Sequence, residues 1–485
     1  MINLKLIYKV LGQLLFIEAL LMMLSLGVAF YYGQDDLFGF IVATLATIGG
    51  GFVLKWWGRY ADNSMSRRDA YLVVSLSWVI FSLFGTLPFL ISGYITSFTD
   101  AYFETMSGFT TTGATIIDNV EAMPHGLLFW RSLTQWIGGL GIVFFTIALL
   151  PSLVGGSTKV FAAEATGPIR TKLHPKLSTN AKWIWSIYVA LTLACIVAYY
   201  LGGMDVFDSV NYAMSTTATG GFSTHNSSTE FFRSPTLEYI CTLFCFLSGI
   251  NFTLLYAALI KLKVKQLFQS AEFKLYIFLV AGFTAFIMLE LFLTRGYEIE
   301  HAFRSAIFQV VSFITTTGLY NDDAARWPHV TWIILALCMF IGACSGSTSG
   351  GIKCIRGVMF VRVVRNEFKQ ILHPNAVLPL KINGVNVPQQ KRVTLLAFLV
   401  SYLALCLVIS FTMTAMGVDG TNAVTITLSC MGNVGPTLGI EIGPTMSWSQ
   451  LPGAAKWMCS VMMLIGRLEI FSVLVLFTRA FWKEN

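Results

Sequence analysis

A chain of 485 residues that is 55% hydrophobic and only 12% charged, with a mean hydropathy of +0.69, has too few polar residues to cover a water-soluble globule. Its net charge of +7 and isoelectric point near 8.9 do not point to nucleic acid, because the basic residues lie in short stretches between apolar spans instead of a stripe interleaved with aromatics. Nine cysteines without a CxxC pair and six scattered histidines form neither a disulfide framework nor a transition-metal site, which leaves an all-α polytopic membrane protein with no organic cofactor expected.

In chain order, Lys5 and Lys9 precede an apolar run to Tyr32 that is longer than a signal-peptide core, so it is expected to remain as a transmembrane helix. A second span runs from about Leu37 to Trp57, and the two form an N-terminal hairpin. Four similar modules follow, each an apolar span, a short amphipathic segment, a polar tetrapeptide and a second apolar span. Their first and last spans are expected at Ala70–Ser92 and Leu127–Leu150, Trp183–Leu201 and Thr236–Leu262, Phe273–Leu293 and Val330–Ile352, and Val393–Met416 and Ala454–Phe481. This divides the chain into the hairpin (1–68), pore module 1 (69–158), module 2 (159–265), module 3 (266–375) and module 4 (376–485).

The tetrapeptides carry the repeat. They are Thr110-Thr111-Thr112-Gly113, Thr217-Ala218-Thr219-Gly220, Thr315-Thr316-Thr317-Gly318 and the degenerate Gly432-Asn433-Val434-Gly435, recurring roughly every hundred residues. The segment before each has roughly 8 to 14 helix-compatible residues, too few to cross a hydrocarbon core of about 30 Å at 1.5 Å per residue, so each must dip in and turn back. Non-helical backbone survives at that depth only where protein or a watery cavity satisfies its peptide groups, which places the four turns together at a central pathway.

Charge sets the orientation. With the N-terminus in the cytoplasm, the clusters at Lys55–Arg68, Lys159–Lys182, Lys261–Lys274, Lys353–Arg392 and Arg479–Lys483 all fall on the cytoplasmic side. The other face collects Asp35, Asp36, Asp118, Glu121, Asp205, Asp208 and Glu441 among others; this is either a solvated acidic surface or one that concentrates cations. Modules with an even number of crossings enter from the same side, so they can surround a pore in pseudo-fourfold fashion. Half-helices ending at Ser107, Ser215, Ile314 and Met431 would aim their partly negative ends at its centre, and Thr and Gly carbonyls would replace a cation's hydration shell. No carboxylate ring occupies the tetrapeptides, so neutral dipoles would select a large, weakly hydrated monovalent ion.

Two further stretches stand out. The run Gly342 to Lys353 is dense in Gly and Ser, which lowers helix stability, while Gly342, Gly346 and Gly350 also form a small-residue ladder suited to tight helix packing. Arg467, between Gly466 and Glu469 in the last apolar span, is costly at that depth; it either repels cations and bonds unwound carbonyls, or pairs with Glu469 or snorkels to the helix end.

With four filter-like glycines in helix, pore-loop, helix modules along the whole chain, the sequence resembles the Trk/Ktr/HKT superfamily of potassium transporters, most of all its bacterial membrane subunits. The resemblance implies that K+ is the transported ion, held by backbone oxygens of Thr110 to Gly113, Thr217 to Gly220, Thr315 to Gly318 and Gly432 to Gly435. It implies that Gly346, Ser347, Thr348, Ser349, Gly350 and Lys353 belong to an intramembrane gating loop under the filter, with Arg467 acting beside it. It further implies no enzymatic activity, a homodimer in the bacterial cytoplasmic membrane, contact with membrane lipid, and a cytoplasmic TrkA-type nucleotide-binding ring as regulator. A gated channel-like pathway and an ion-coupled symporter remain alternatives on this scaffold.

Overall fold

The computed structural model describes residues 2–62, 64–141, 177–439 and 441–483. The end of the first return span, the 158/159 module boundary and the basic residues Lys159, Arg170, Lys172 and Lys176 lie outside the described residues. Among the described residues the chain is mostly helical, and one two-stranded ribbon pairs Lys381–Ile382 with Val385–Asn386.

The hairpin comprises α1 (Leu4–Tyr32) and α2 (Leu37–Trp57), both long and apolar enough to cross a membrane. Small residues let the two backbones touch: a Cβ on Gly12 would lie 2.7 Å from the Gly51 carbonyl oxygen. Asn3 caps α1, and Asp69 links its start to α3 (Arg67–Ile91), where Ser66 and Asp69 form a reciprocal capping box.

Module 1 continues with pore helix α4 (Phe98–Phe109) and return helix α5 (His125–Leu140). Module 2 consists of α6 (Leu177–Leu201), pore helix α7 (Val206–Ala218), and α8 (Pro235–Ser248) followed by α9 (Phe252–Leu259). Module 3 has α10 (Ala271–Arg295), pore helix α11 (Ile299–Ile314) and α12 (His329–Ile341), then the basic helix α13 (Cys354–Leu372). Module 4 has α14 (Gln389–Ala415), pore helix α15 (Gly420–Gly432) and α16 (Gly453–Arg467). The pore helices have 12, 13, 16 and 13 residues, about 18 to 24 Å at the usual rise, so none spans the apolar layer.

The return spans depart from the continuous helices expected. In module 2 the chain turns by 105° between α8 and α9, and in module 4 by 109° after Arg467, where Glu469 and Ile470 both take φ of +54°. In module 3, α12 stops at Ile341 and the run from Gly342 to Lys353 is not helical, which selects the unwound reading over the helix-packing ladder. Gly141, with φ +90°, ends α5 at the corresponding point of module 1. A helix that only crosses lipid would gain nothing from such breaks; here the freed backbone groups find partners in protein beneath the pore loops.

Two large apolar cores and a smaller one hold the modules. One large core joins the hairpin, module 1 and module 4 through residues such as Leu14, Trp78, Phe109, Trp130 and Met463, the other joins modules 2 and 3 through Tyr199, Tyr212, Tyr276, Phe313 and Leu335, and the small one packs Met359 against Ile382 and Leu395. The hairpin also fixes α5: Asp36 Oδ2 accepts the Leu127 N–H at 3.1 Å, supplying the cap that Pro124 lacks, and the His125 ring stacks on Tyr32 at 3.9 Å.

Candidate functional site: a ring of four pore loops

The four pore helices end in the same turn. Thr112 N–H bonds to the Ser107 carbonyl at 2.9 Å, Gly220 N–H to Ser215 at 2.9 Å, Thr317 N–H to Ser312 at 2.8 Å, and Val434 N–H to Ser429 at 2.9 Å. The residue before each of these donors is left-handed: Thr111, Thr219, Thr316 and Asn433 have φ between +53° and +58°. Such a backbone is costly for a residue with a Cβ and persists where its surroundings impose it. The residue after each donor is a glycine with positive φ: Gly113 (+81°), Gly221 (+85°), Gly318 (+79°) and Gly435 (+99°).

This corrects the register of the second module by one residue. The geometric equivalents of Thr110 to Gly113 are Ala218, Thr219, Gly220 and Gly221, not Thr217 to Gly220. In modules 1, 3 and 4 the tetrapeptide glycine taken from sequence is the ring glycine.

The glycines encircle a shared axis. A Cβ built on Gly113 would lie 2.1 Å from the Gly220 carbonyl oxygen, one on Gly221 2.2 Å from Thr317 O, one on Gly318 2.1 Å from Val434 O, and one on Gly435 2.5 Å from Thr112 O. Each contact leads to the next module and the fourth returns to the first, so the ring closes. At these positions glycine is required both by φ and by the neighbour's backbone. Above the ring, a cavity of ≈ 300 Å³ is lined by all four glycines and by Asp118 and His225, among others.

Behind the ring the side chains brace the turns. Thr110 and Thr112 hydroxyls meet at 2.9 Å and Thr315 and Thr317 hydroxyls at 2.8 Å, while Asn433 Nδ2 donates to Thr112 Oγ1 at 3.0 Å and to the Met463 carbonyl at 2.9 Å. Gln135 and Arg131 of α5, overlooked in the sequence reading, reach across to module 2. Gln135 bonds Gly220 O, Ser215 Oγ and Phe222 N–H. Arg131 Nε pairs with Glu104 Oε1 at 2.9 Å with both side chains almost fully buried, and its Nη1 donates to the Ser223 carbonyl at 3.1 Å. Glu104 in turn accepts from Thr115 Oγ1 and the Ile116 N–H, each at 3.0 Å, so the ion pair ties the strand leaving the first pore loop to the second. The signal was available: a charge inside an apolar span marks Arg131 as much as Arg467.

Beneath the ring lies the unwound run of module 3. Gly350 N–H donates to Thr316 Oγ1 at 2.7 Å, Thr348 Oγ1 donates to the Thr217 carbonyl at 3.1 Å, and a Cβ on Gly350 would sit 2.0 Å from Gly432 O. Phe252 N–H holds the Gly346 carbonyl at 3.0 Å, the Ser347 and Ser349 hydroxyls meet at 2.8 Å, and Lys353 Nζ donates to the Ser349 carbonyl. Arg467 crosses the same space: Nη1 donates to Thr348 O at 2.9 Å, and Nη2 to Gly138 O at 2.6 Å and Gly139 O at 2.7 Å. Glu469 pairs with Arg356. Arg467 therefore joins carbonyls of modules 1 and 3 from its place in module 4.

Four reentrant loops closed into one carbonyl-lined ring, above a bonded segment of broken helix, define a polytopic membrane protein of the pore-loop transport class. The sequence profile described as "TrkH: Cation transport protein" matches residues 39–484, and the chain belongs to that family. It is 37% identical to the Trk system potassium uptake protein TrkH of Halomonas elongata, over 99% of this chain and 100% of that one. It is 35% identical to the protein of the same name from Escherichia coli strain K12, over 99% of each. The crystal structure of the potassium transporter TrkH from Vibrio parahaemolyticus superposes with a TM-score of 0.89 at 34% identity, covering 99% of each chain. These relatives are named as transport proteins, not enzymes.

Proposed function

We propose that this protein takes up potassium across the bacterial cytoplasmic membrane through a gated, channel-like pore whose filter is the ring of backbone carbonyls. The observation that carries the proposal is the closed cycle from Gly113 to Gly221, Gly318 and Gly435, each against the next module's carbonyl. Four converging neutral dipoles replace water around a weakly hydrated monovalent cation, and the negative ends of α4, α7, α11 and α15 add to the field. The potassium named for its relatives is the ion this chemistry suits.

The run Gly346 to Gly350, with Lys353 and Arg467, acts as the gate: two cationic side chains and a bonded loop lie below the filter, and ions pass when the loop withdraws. Both termini face the cytoplasm, in keeping with the basic clusters on that side. The functional unit is a homodimer held in lipid and governed by a cytoplasmic nucleotide-binding ring of TrkA type. The basic helix α13, with Arg362, Arg365 and Lys369, is a surface on which such a regulator can act.

The test is purified protein in vesicles under a potassium gradient, with regulator present. The proposal expects a reversal potential that follows the potassium gradient alone. A reversal potential that moves with pH or sodium at fixed potassium would establish a coupled symporter instead, and absence of any alkali-ion flux would overturn the transport reading.

A further inference from the structure

The second pore loop lacks the brace that the first and third build for themselves. In module 1 the Thr110 hydroxyl donates to the Met106 carbonyl at 2.6 Å and meets Thr112 Oγ1, and in module 3 Thr315 donates to Val311 O at 2.6 Å and meets Thr317 Oγ1. The equivalents in module 2 are Ala218 and Gly220, which have no hydroxyl at all.

The space is filled from another module. Gln135 is fully buried, and a Cβ on Gly220 would fall 2.4 Å from Gln135 Cδ, 2.5 Å from Oε1 and 2.9 Å from Cγ. The carboxamide therefore occupies the volume that a side chain at position 220 would take. Two backbone partners that cannot exchange roles fix its amide: Oε1 accepts the Phe222 N–H at 3.1 Å and Nε2 donates to Gly220 O at 2.7 Å, and with Oε1 so placed the Ser215 hydroxyl donates to it at 2.9 Å. Gly220 O is the carbonyl of module 2 that lies against Gly113, at the same level as Thr112 O, Thr317 O and Val434 O.

We infer that Gln135 serves as the missing filter side chain of the second module and is a positioning residue that sets ion discrimination; the inference rests on the potassium-pore reading above. The physical reason is local. A carbonyl oxygen that already accepts an amide N–H has one lone pair committed and is held in place, so it is a weaker and less mobile ligand for a cation. A ring with one such ligand collapses less readily around a small, strongly hydrated ion, which favours potassium over sodium. Without Gln135, Gly220 O would be free to tilt inward.

The experiment compares the full-length protein with Gln135→Leu, Gln135→Ala, Gly220→Thr and the double variant Gln135→Ala/Gly220→Thr in vesicles. The readouts are the K+/Na+ permeability ratio and the thermal unfolding midpoint in detergent. Gln135→Leu keeps the volume and removes the hydrogen bonds. It and Gln135→Ala should pass potassium with a K+/Na+ ratio about five- to tenfold lower, the factor that one lost hydrogen bond corresponds to. Gly220→Thr should lose potassium flux and unfold early, and the double variant should recover both. An unchanged ratio in Gln135→Leu, or a Gly220→Thr protein that behaves as the native one, would overturn the inference. If the native protein passes no alkali ion, the transport reading fails instead. The unfolding midpoints of Gly220→Thr and the double variant still decide whether Gln135 occupies the site of a side chain at 220.

Discussion

Replacing Gly221 by alanine tests the ring and its register together. The new Cβ would sit 2.2 Å from the Thr317 carbonyl oxygen, where an unstrained contact begins at about 3.4 Å, so backbone on one side must move by about 1 Å. The left-handed φ of +85° adds about 1 to 2 kcal/mol for a residue with a Cβ. A shift of that size is a large fraction of a cation–carbonyl distance, and a penalty of about 1.4 kcal/mol on the potassium-selective geometry is a factor of ten. The K+/Na+ permeability ratio of Gly221→Ala should therefore fall at least about tenfold, as for alanine at Gly113, Gly318 or Gly435. Because Thr317 O is backbone, removing Gln135 cannot relieve the overlap. Reversal potentials of Gly221→Ala with and without Gln135→Ala measure this; a Gly221→Ala protein that discriminates like the native one, or is rescued by Gln135→Ala, would refute the ring geometry.

Other substitutions probe the parts around the ring. Arg467→Ala removes hydrogen bonds to Thr348, Gly138 and Gly139, each worth about 1.5 to 3 kcal/mol for a charged donor, and should raise potassium flux at least about tenfold, whereas unchanged flux would contradict a barrier role. Deleting 346–350 should likewise open the pathway, and flux equal to that of the native protein would dismiss the gate. Arg131→Ala leaves Glu104 buried without its cation and should lower stability by about 3 to 5 kcal/mol by thermal unfolding, with a loss below about 1 kcal/mol counting against the buried pair. In the cavity beside the ring, burial pulls the His225 imidazole down, but the hydrogen bond and charge of Asp208, then those of Glu121, outweigh it and leave it above the ordinary value. Protonation is thus favoured in the folded state. The stabilisation, about 1 kcal/mol or less for this partly exposed group, should be complete below about pH 6.5 and disappear as pH rises through the raised value. His225→Gln should remove that slope from the unfolding midpoint, and an identical slope would refute the assignment.

Much of this was legible before the fold was known, and the exceptions have physical causes. The four modules were readable because three tetrapeptides keep Thr and Gly, and the fourth keeps Gly435 in the right place. The second was displaced because Gly220 and Gly221 are adjacent, and matching on the threonines chose the wrong one. A better ruler was present: Ser107, Ser215, Ser312 and Ser429 each precede the ring glycine by the same interval, since their carbonyls receive the N–H that closes the turn. The bends after Ser248 and Arg467 were invisible because Phe252–Leu259 and Phe471–Phe477 are as apolar as a straight continuation would be; what breaks the helix is tertiary bonding. Gln135 could not be found by pattern, because its partner, the empty position at Gly220, lies in another module.

The most direct measurement is the anomalous signal of rubidium in crystals of this protein. The account predicts a peak on the ring axis, coordinated by the carbonyl oxygens of Thr112, Gly220, Thr317 and Val434. A signal off that axis, or none under conditions in which the same preparation passes rubidium, would contradict it.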